Sequence, residues 1–190
     1  DRDMANIYNF RGQLLHERAQ ELGIGTAAAA GIMKVESGGS TFDPNTNRAI
    51  ARFENHVLWD RWGRNNQAEF NKHFDFKRTG KRWTGHQFRE DPAGSWEAMH
   101  VNQQQEWRVI AFAARLAGDV AYECASFGAG QIMGYNHANV GFASAREMVD
   151  SFNVSERSQI TGIFEFIAAN HLEAAIRAGD YFTLATRYHC

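Results

Sequence analysis

Three carboxylates stand close together in the first third of the chain. Glu36 lies in "KVESGG", where an alanine-rich helical stretch is cut short by a serine and two glycines; Asp43 sits in the turn signal "FDPN"; Glu54 closes "AIARFE". A hairpin folded back over the helix end would set two of these across a groove. That is an arrangement for glycosidic chemistry, in which one carboxyl group donates a proton and a second group handles the water or the developing cation. Spacing alone accounts equally well for Glu36 as a solvated residue near a helix end. The negative end of the helix opposes ionisation there, which favours the proton-carrying form that a general acid needs.

Other chemistries have less to work with. The eight histidines, at 16, 56, 73, 86, 100, 137, 171 and 189, include no pair at helical ligand spacing, and no cysteine pair accompanies them. They read as surface or capping residues, and neither a metal nor another cofactor is expected. Cys124 and Cys190 are too few and too badly placed for a disulfide framework. No phosphate loop or nucleophile-elbow serine occurs, and "GAG" at 128–130 is expected to follow a helix rather than the strand a dinucleotide fingerprint needs. A formal net charge of −2 argues against a polyanion-binding protein.

The elements that position the carboxylates are mostly helical. Apolar residues from Met4 to Leu22 form one stripe closed by Gly23, the pattern of a surface helix. Thr26 is expected to cap "AAAAGIMKVE", a buried central helix with small residues on nearly every face and Glu36 in its last turn. "FDPN" and "AIARFE" suit a small hairpin. The stretch from Gly63 to Gly94 lacks sustained periodicity and reads as an insertion loop or lobe. Its cations, among them Lys72, Lys77, Arg78, Lys81, Arg82 and Arg89, interleave with Phe74, Phe76, Trp83 and Phe88. A lobe with aromatics inward and cations outward, facing water or an anionic wall, is preferred to a nucleic-acid surface. Helix is predicted from Ser95 to about Leu116, and again after caps at Asp119, Ser144, Ser155 and Asp180, the second of these making a capping box with Glu147. No apolar run approaches the roughly 18 residues of a membrane span, and "DRDMANIYNF" lacks a signal-peptide layout.

"VESGGSTFDP", then "RFENH", and much later "ASFGAGQIMGYN" resemble the N-acetylmuramidase domain of phage endolysins, itself similar to goose-type lysozymes and soluble lytic transglycosylases. The resemblance runs from about Ala28 to Tyr188, with "GFASAREMVDSF" and "FEFIAANHLEAAIRAGDY" fitting the family's later helices. It implies Glu36 as proton donor, Glu54 on the hairpin facing the cleft, and Ser126, Gly128, Gln131, Tyr135 and Asn136 along the sugar groove. The chain departs from the family pattern in "DPNTNR", which leaves open whether Asp43 or another group assists Glu36. The segment Gln67 to Pro92 is longer and more basic than the pattern, and "RYHC" stops short of the family's closing segment. Read without the family, Gly128 and Gly130 allow close approach of a polymer, Gln131 can hydrogen-bond to sugar groups and Tyr135 offers a flat face; a packed helix corner is the alternative.

The expectation is therefore a mainly α, lysozyme-like domain over residues 1–190, with a small β-hairpin beside the cleft and an insertion lobe at about 63–94. The resemblance implies hydrolysis of the β-1,4 bond between N-acetylmuramic acid and N-acetylglucosamine in peptidoglycan. The alternatives are a lytic transglycosylase and a wall-binding module without chemistry. The expected partner is the glycan strand, met by a monomer that spans no membrane and binds no nucleic acid. It would act on the bacterial wall after production in a host cytoplasm or delivery by a phage particle or effector.

Overall fold

The computed structural model describes residues 2–38, 40–80 and 82–188. Gly39, Lys81, His189 and Cys190 lie outside the described residues, and with them the readings placed on the second glycine of "SGG", one lobe cation, the last histidine and the terminal thiol.

Helices α1 (Arg2–Leu22) and α2 (Thr26–Ser37) lead into three short strands, β1 (Phe42–Asp43), β2 (Arg48–Ala49) and β3 (Ala51–Phe53). Then come α3 (Asn55–Arg61), a 3-10 turn at Gly63–Asn65, α4 (Gln67–His73) and strands β4 (Phe74–Thr79), β5 (Arg82–Phe88) and β6 (Glu97–Ala98). Helices α5 (Gln103–Ala117) and α6 (Val120–Glu123) precede β7 (Ala125–Phe127), β8 (Ile132–Met133) and a 3-10 segment at Gly134–Val140. The chain closes with α7 (Ala145–Val154), α8 (Glu156–Ala169), α9 (Glu173–Arg177) and α10 (Tyr181–Tyr188). The strands pair antiparallel as β1-β2, β3-β7-β8 and β4-β5-β6. The fold is mainly helical, as expected. No helix among the described residues is long and apolar enough to cross a membrane.

Several local expectations change. Gly25, not Thr26, occupies the cap position of α2, and Gly38 ends the helix in the left-handed region at φ 65, its N–H directed to the Lys34 and Met33 carbonyls. The helix is buried on one side only. Ala29, Ala30 and Met33 face the core, while Val35 is 80% exposed.

The 63–94 stretch is an ordered lobe. Phe70, Phe74 and Phe88 anchor it in the core, and the β4–β5 hairpin projects outward so that its tip is exposed on both faces. A strand wet on both faces carries no two-residue alternation, so periodicity could not reveal it. Lys77, Arg78 and Arg82 are exposed there, with the Arg78 guanidinium 5.1 Å from the Trp83 ring. Helix α5 begins at Gln103 rather than Ser95, because Asn102 caps it by accepting from the Gln105 N–H and the residues before it pair into β6. "GAG" follows a strand, not a helix: β7 is buried on both faces as the middle of its sheet, and short apolar runs of that kind are ambiguous between the two.

Asp119 makes no cap bond and instead pairs with Arg146 at 3.2 Å. Ser144, Ser155 and Asp180 cap as expected, accepting from the Glu147, Ser158 and Thr183 N–H groups. Glu147 bonds back to the Ala143 N–H, one residue before the cap.

Candidate active site

A cleft of about 420 Å³ opens between the end of α2, the exit of β3 and the β7–β8 hairpin, with Phe166 of α8 and Tyr188 of α10 behind it. Glu36 and Glu54 both line it. Glu36 arrives in the last turn of α2, just before the Gly38 stop turns the backbone aside. Strand alternation brings Glu54. Phe53 points into the core with no exposure, so its neighbours Arg52 and Glu54 emerge together on the cleft side. The Glu54 N–H donates to the Cys124 carbonyl at 2.8 Å, which ties this corner to the end of α6. Its carboxylate is held on two sides, by Arg52 Nε at 3.1 Å and by His56 Nδ1 at 3.4 Å.

The strand beneath Glu54 is braced from within. The Phe53 N–H donates to Glu106, a carboxylate only 4% exposed, whose other oxygen meets His100 Nδ1 at 2.6 Å. Gln103 reaches the same strand, accepting from the Ala51 N–H and donating to the Ala51 carbonyl.

The cleft floor is the β7–β8 hairpin, and here the predicted groove residues divide. Ser126 and Gln131 line the cleft, but their polar atoms are engaged with protein. Gln131 Nε2 donates to the Ile50 and Gly128 carbonyls at 3.2 and 3.0 Å, while its Oε1 accepts from the Ser126 hydroxyl at 2.9 Å. It does so from a left-handed backbone at φ 46. Gln131 is therefore a brace of the floor more than a reader of sugar.

The two glycines also have a different use from the expected one. Gly128 does not line the cleft; a methyl group there would meet Gln159 Oε1 at 3.0 Å. At Gly130 it would meet Ile163 at 2.6 Å and the Tyr188 hydroxyl at 2.9 Å. These positions admit α8 and α10 to the back of the hairpin, the packed-corner alternative. Gln159 fills the space, accepting from the Ala129 N–H and donating to the Phe152 carbonyl.

Tyr135 and Asn136 both line the cleft, and the Arg61 guanidinium sits 4.9 Å from the Tyr135 ring. Asp43 does not line it. Its Oδ2 accepts from the Asn45 and Thr46 N–H groups at 3.1 and 2.7 Å, closing the β1–β2 turn.

Arg52, His56 and Tyr188 belong to the site and were not picked out from sequence. Tyr188 is buried, and its hydroxyl donates to the Gly130 carbonyl at 2.9 Å. Burial, then the charge of Glu36, push its phenol well above the ordinary tyrosine value, which keeps it a donor at every working pH. The period of α10 marks Tyr188 as core, but nothing local connects it to Glu36.

The histidines read as scattered also converge. The ring of His56 stacks on Trp83 at 5.1 Å and lies 5.8 Å from the ring of His86, which stands 5.5 Å from that of His100. Burial lowers the pKa of His56, against the opposing charges of Glu54 and Asp60. Burial likewise lowers that of His86, assisted by His100 and His56 and opposed by Glu54 and the Trp83 backbone. Cys124 is inert by comparison, its thiol pushed up to about 12 by burial.

Comparison with known proteins adds the following. Residues 25–190 match the family model described as N-acetylmuramidase. Among solved structures, the chain is similar to the endolysin of Burkholderia phage AP3, with a TM-score of 0.69 and 24% sequence identity over 92% of this chain. The match takes in 61% of that endolysin, so the chain spans less than two thirds of its length. No curated protein matches.

Proposed function

The chain belongs to the N-acetylmuramidase family, a group of lysozyme-type peptidoglycan hydrolases, and from that premise we propose that it cleaves the β-1,4 bond between N-acetylmuramic acid and N-acetylglucosamine with Glu36 as general acid. The observation that carries this reading is the pair of carboxylates, Glu36 and Glu54, lining one open cleft from two different elements. Glu36 protonates the oxygen of the leaving sugar. Glu54, held by Arg52 and beside His56, is the anion that stabilises the developing oxocarbenium charge and orients the water that attacks the anomeric carbon.

The remaining lining residues support sugar binding of a particular kind. Tyr135 and Asn136 offer an aromatic ring and an amide in the same cleft lining, a suitable pair for a pyranose ring and its N-acetyl group. Ser126 and Gln131 fix the floor on which those groups rest. In this reading residues 1–190 act as one catalytic unit and a monomer, with the 63–94 lobe beside the cleft, working on glycan strands outside the cytoplasmic membrane.

Digestion of purified peptidoglycan tests the proposal. We expect soluble fragments with new muramic-acid reducing ends. Fragments lighter by one water, with anhydro ends and no new reducing ends, would instead identify a lytic transglycosylase. Pelleting with the wall without any release would leave a binding module.

A further inference from the structure

We propose that Glu54, His56 and His86 form a binding site for a zinc ion at the wall of the cleft. One donor atom from each of the three lies within 4.8 Å of the other two. Glu54 Oε2 and His56 Nδ1 are 3.4 Å apart, close to the ligand-to-ligand edge of about 3.4 Å for a tetrahedron with metal bonds of about 2.1 Å. His86, within 4.8 Å of both, has to close by at most about 1.4 Å to complete that geometry, a movement that rotation about its Asn55-bonded Nδ1 can supply.

The state of each donor supports the assignment. His56 Nδ1 is buried and makes no hydrogen bond, an unusual condition for a ring nitrogen beside a carboxylate. Its ring is fixed in place by stacking on Trp83. For His86 the tautomer follows from its neighbours. Asn55 is fully buried and donates its amide to the Asp75 carbonyl at 2.9 Å, so its oxygen faces the other way and accepts from His86 Nδ1 at 2.6 Å. The hydrogen is therefore on Nδ1 and the lone pair on Nε2. A ring N–H handed to an outer acceptor is the arrangement that orients ligating histidines.

Glu54 has one oxygen engaged by Arg52 and presents the other, Oε2, to His56. Burial of both imidazoles favours the neutral form that a metal requires. Two imidazole nitrogens and one carboxylate suit zinc over magnesium or calcium, which prefer oxygen, and three protein ligands leave a fourth position for water. The site shares Glu54 with the catalytic reading of the cleft, but its claim is binding and its test reads zinc uptake rather than lysis.

Titration of the full chain with zinc against a chromophoric chelator tests it, with cobalt substitution as the spectroscopic check. The expected result is one zinc ion per chain at micromolar affinity or tighter, and a visible cobalt spectrum of four-coordinate type. His86→Ala and Glu54→Gln should each weaken zinc binding by at least ~10-fold while keeping the far-ultraviolet circular dichroism of the parent. No zinc taken up by the parent, or uptake that both variants retain unchanged, would overturn the proposal.

Discussion

One hairpin, β7–β8, forms the cleft floor and another, β4–β5, packs through Trp83 behind His56 of the cleft wall, and their surroundings differ in how completely polar atoms are used. In β7–β8 the accounts close: the Gln131 amide bonds on both its ends, Gln159 holds the Ala129 N–H, and Tyr188 takes the Gly130 carbonyl. In the α3 residue and the loop that pack beside β4–β5 they stay open. His56 Nδ1 and His100 Nε2 are buried with no hydrogen-bond partner, although Glu54 stands beside the first and Glu106 meets the other nitrogen of the second ring. A buried polar group without a partner costs about 1–3 kcal/mol, and a fold keeps such groups where something else makes use of them. The closed hairpin is thus a wall that fixes shape. The open region, where His56 meets Trp83 and His86 of β5, is where the proposed zinc ion would sit.

The largest expected effect lies on neither hairpin. Glu36→Gln keeps the side-chain size but removes the transferable proton, so wall lysis should fall by ~100-fold to 10,000-fold while glycan binding persists. Lysis within a few-fold of the parent would remove Glu36 from the mechanism. Gln131→Ala tests whether the floor is structural: with three hydrogen bonds lost, stability should drop by about 2–4 kcal/mol in denaturant titration, and any rate loss should accompany that drop. A rate loss at unchanged stability would return Gln131 to reading the glycan.

The open side should answer to pH. His56 and His86 have folded pKa values below the ordinary 6.5, so the unfolded chain takes up more protons as pH falls past 6.5, and stability is lost from there down to the folded values. The melting temperature should therefore fall over that window, and fall less in His86→Gln; equal slopes for parent and variant would show that the histidine does not titrate this way. The smallest effect belongs to Asp43→Ala. It opens one turn at a cost of about 1 kcal/mol, measurable by thermal melting, and should leave lysis within a few-fold of the parent.

The two hairpins also separate what local pattern can reveal from what it cannot. Glu36 and Glu54 were legible because each is set by its own element, a helix stop and a strand alternation, within motifs of familiar order. Gly128 and Gly130 were visible as special, but their partners, Gln159, Ile163 and Tyr188, are distant in sequence, so local pattern could not decide between a groove and a packed corner. His56, His86 and His100 show the same limit more sharply. They meet because β5 pairs with both β4 and β6 and because Asn55 links α3 to the lobe, and no spacing rule along a single element anticipates that. The 63–94 strands are not legible in the sequence because only their base is buried and the outer half of the hairpin has no dry face to show.

The bond from Tyr188 to Gly130 has a consequence in time. It joins positions 58 residues apart and sets the phenol against Glu36, which lies near the other end of the chain. Synthesis runs from Glu36 toward Tyr188, so the acid emerges early while the residue that backs it emerges among the last described. Contacts of such long sequence separation also form late during refolding, after local helices and hairpins have been made. Until Tyr188 has been made, the chain carries its acid without the phenol that stands behind it.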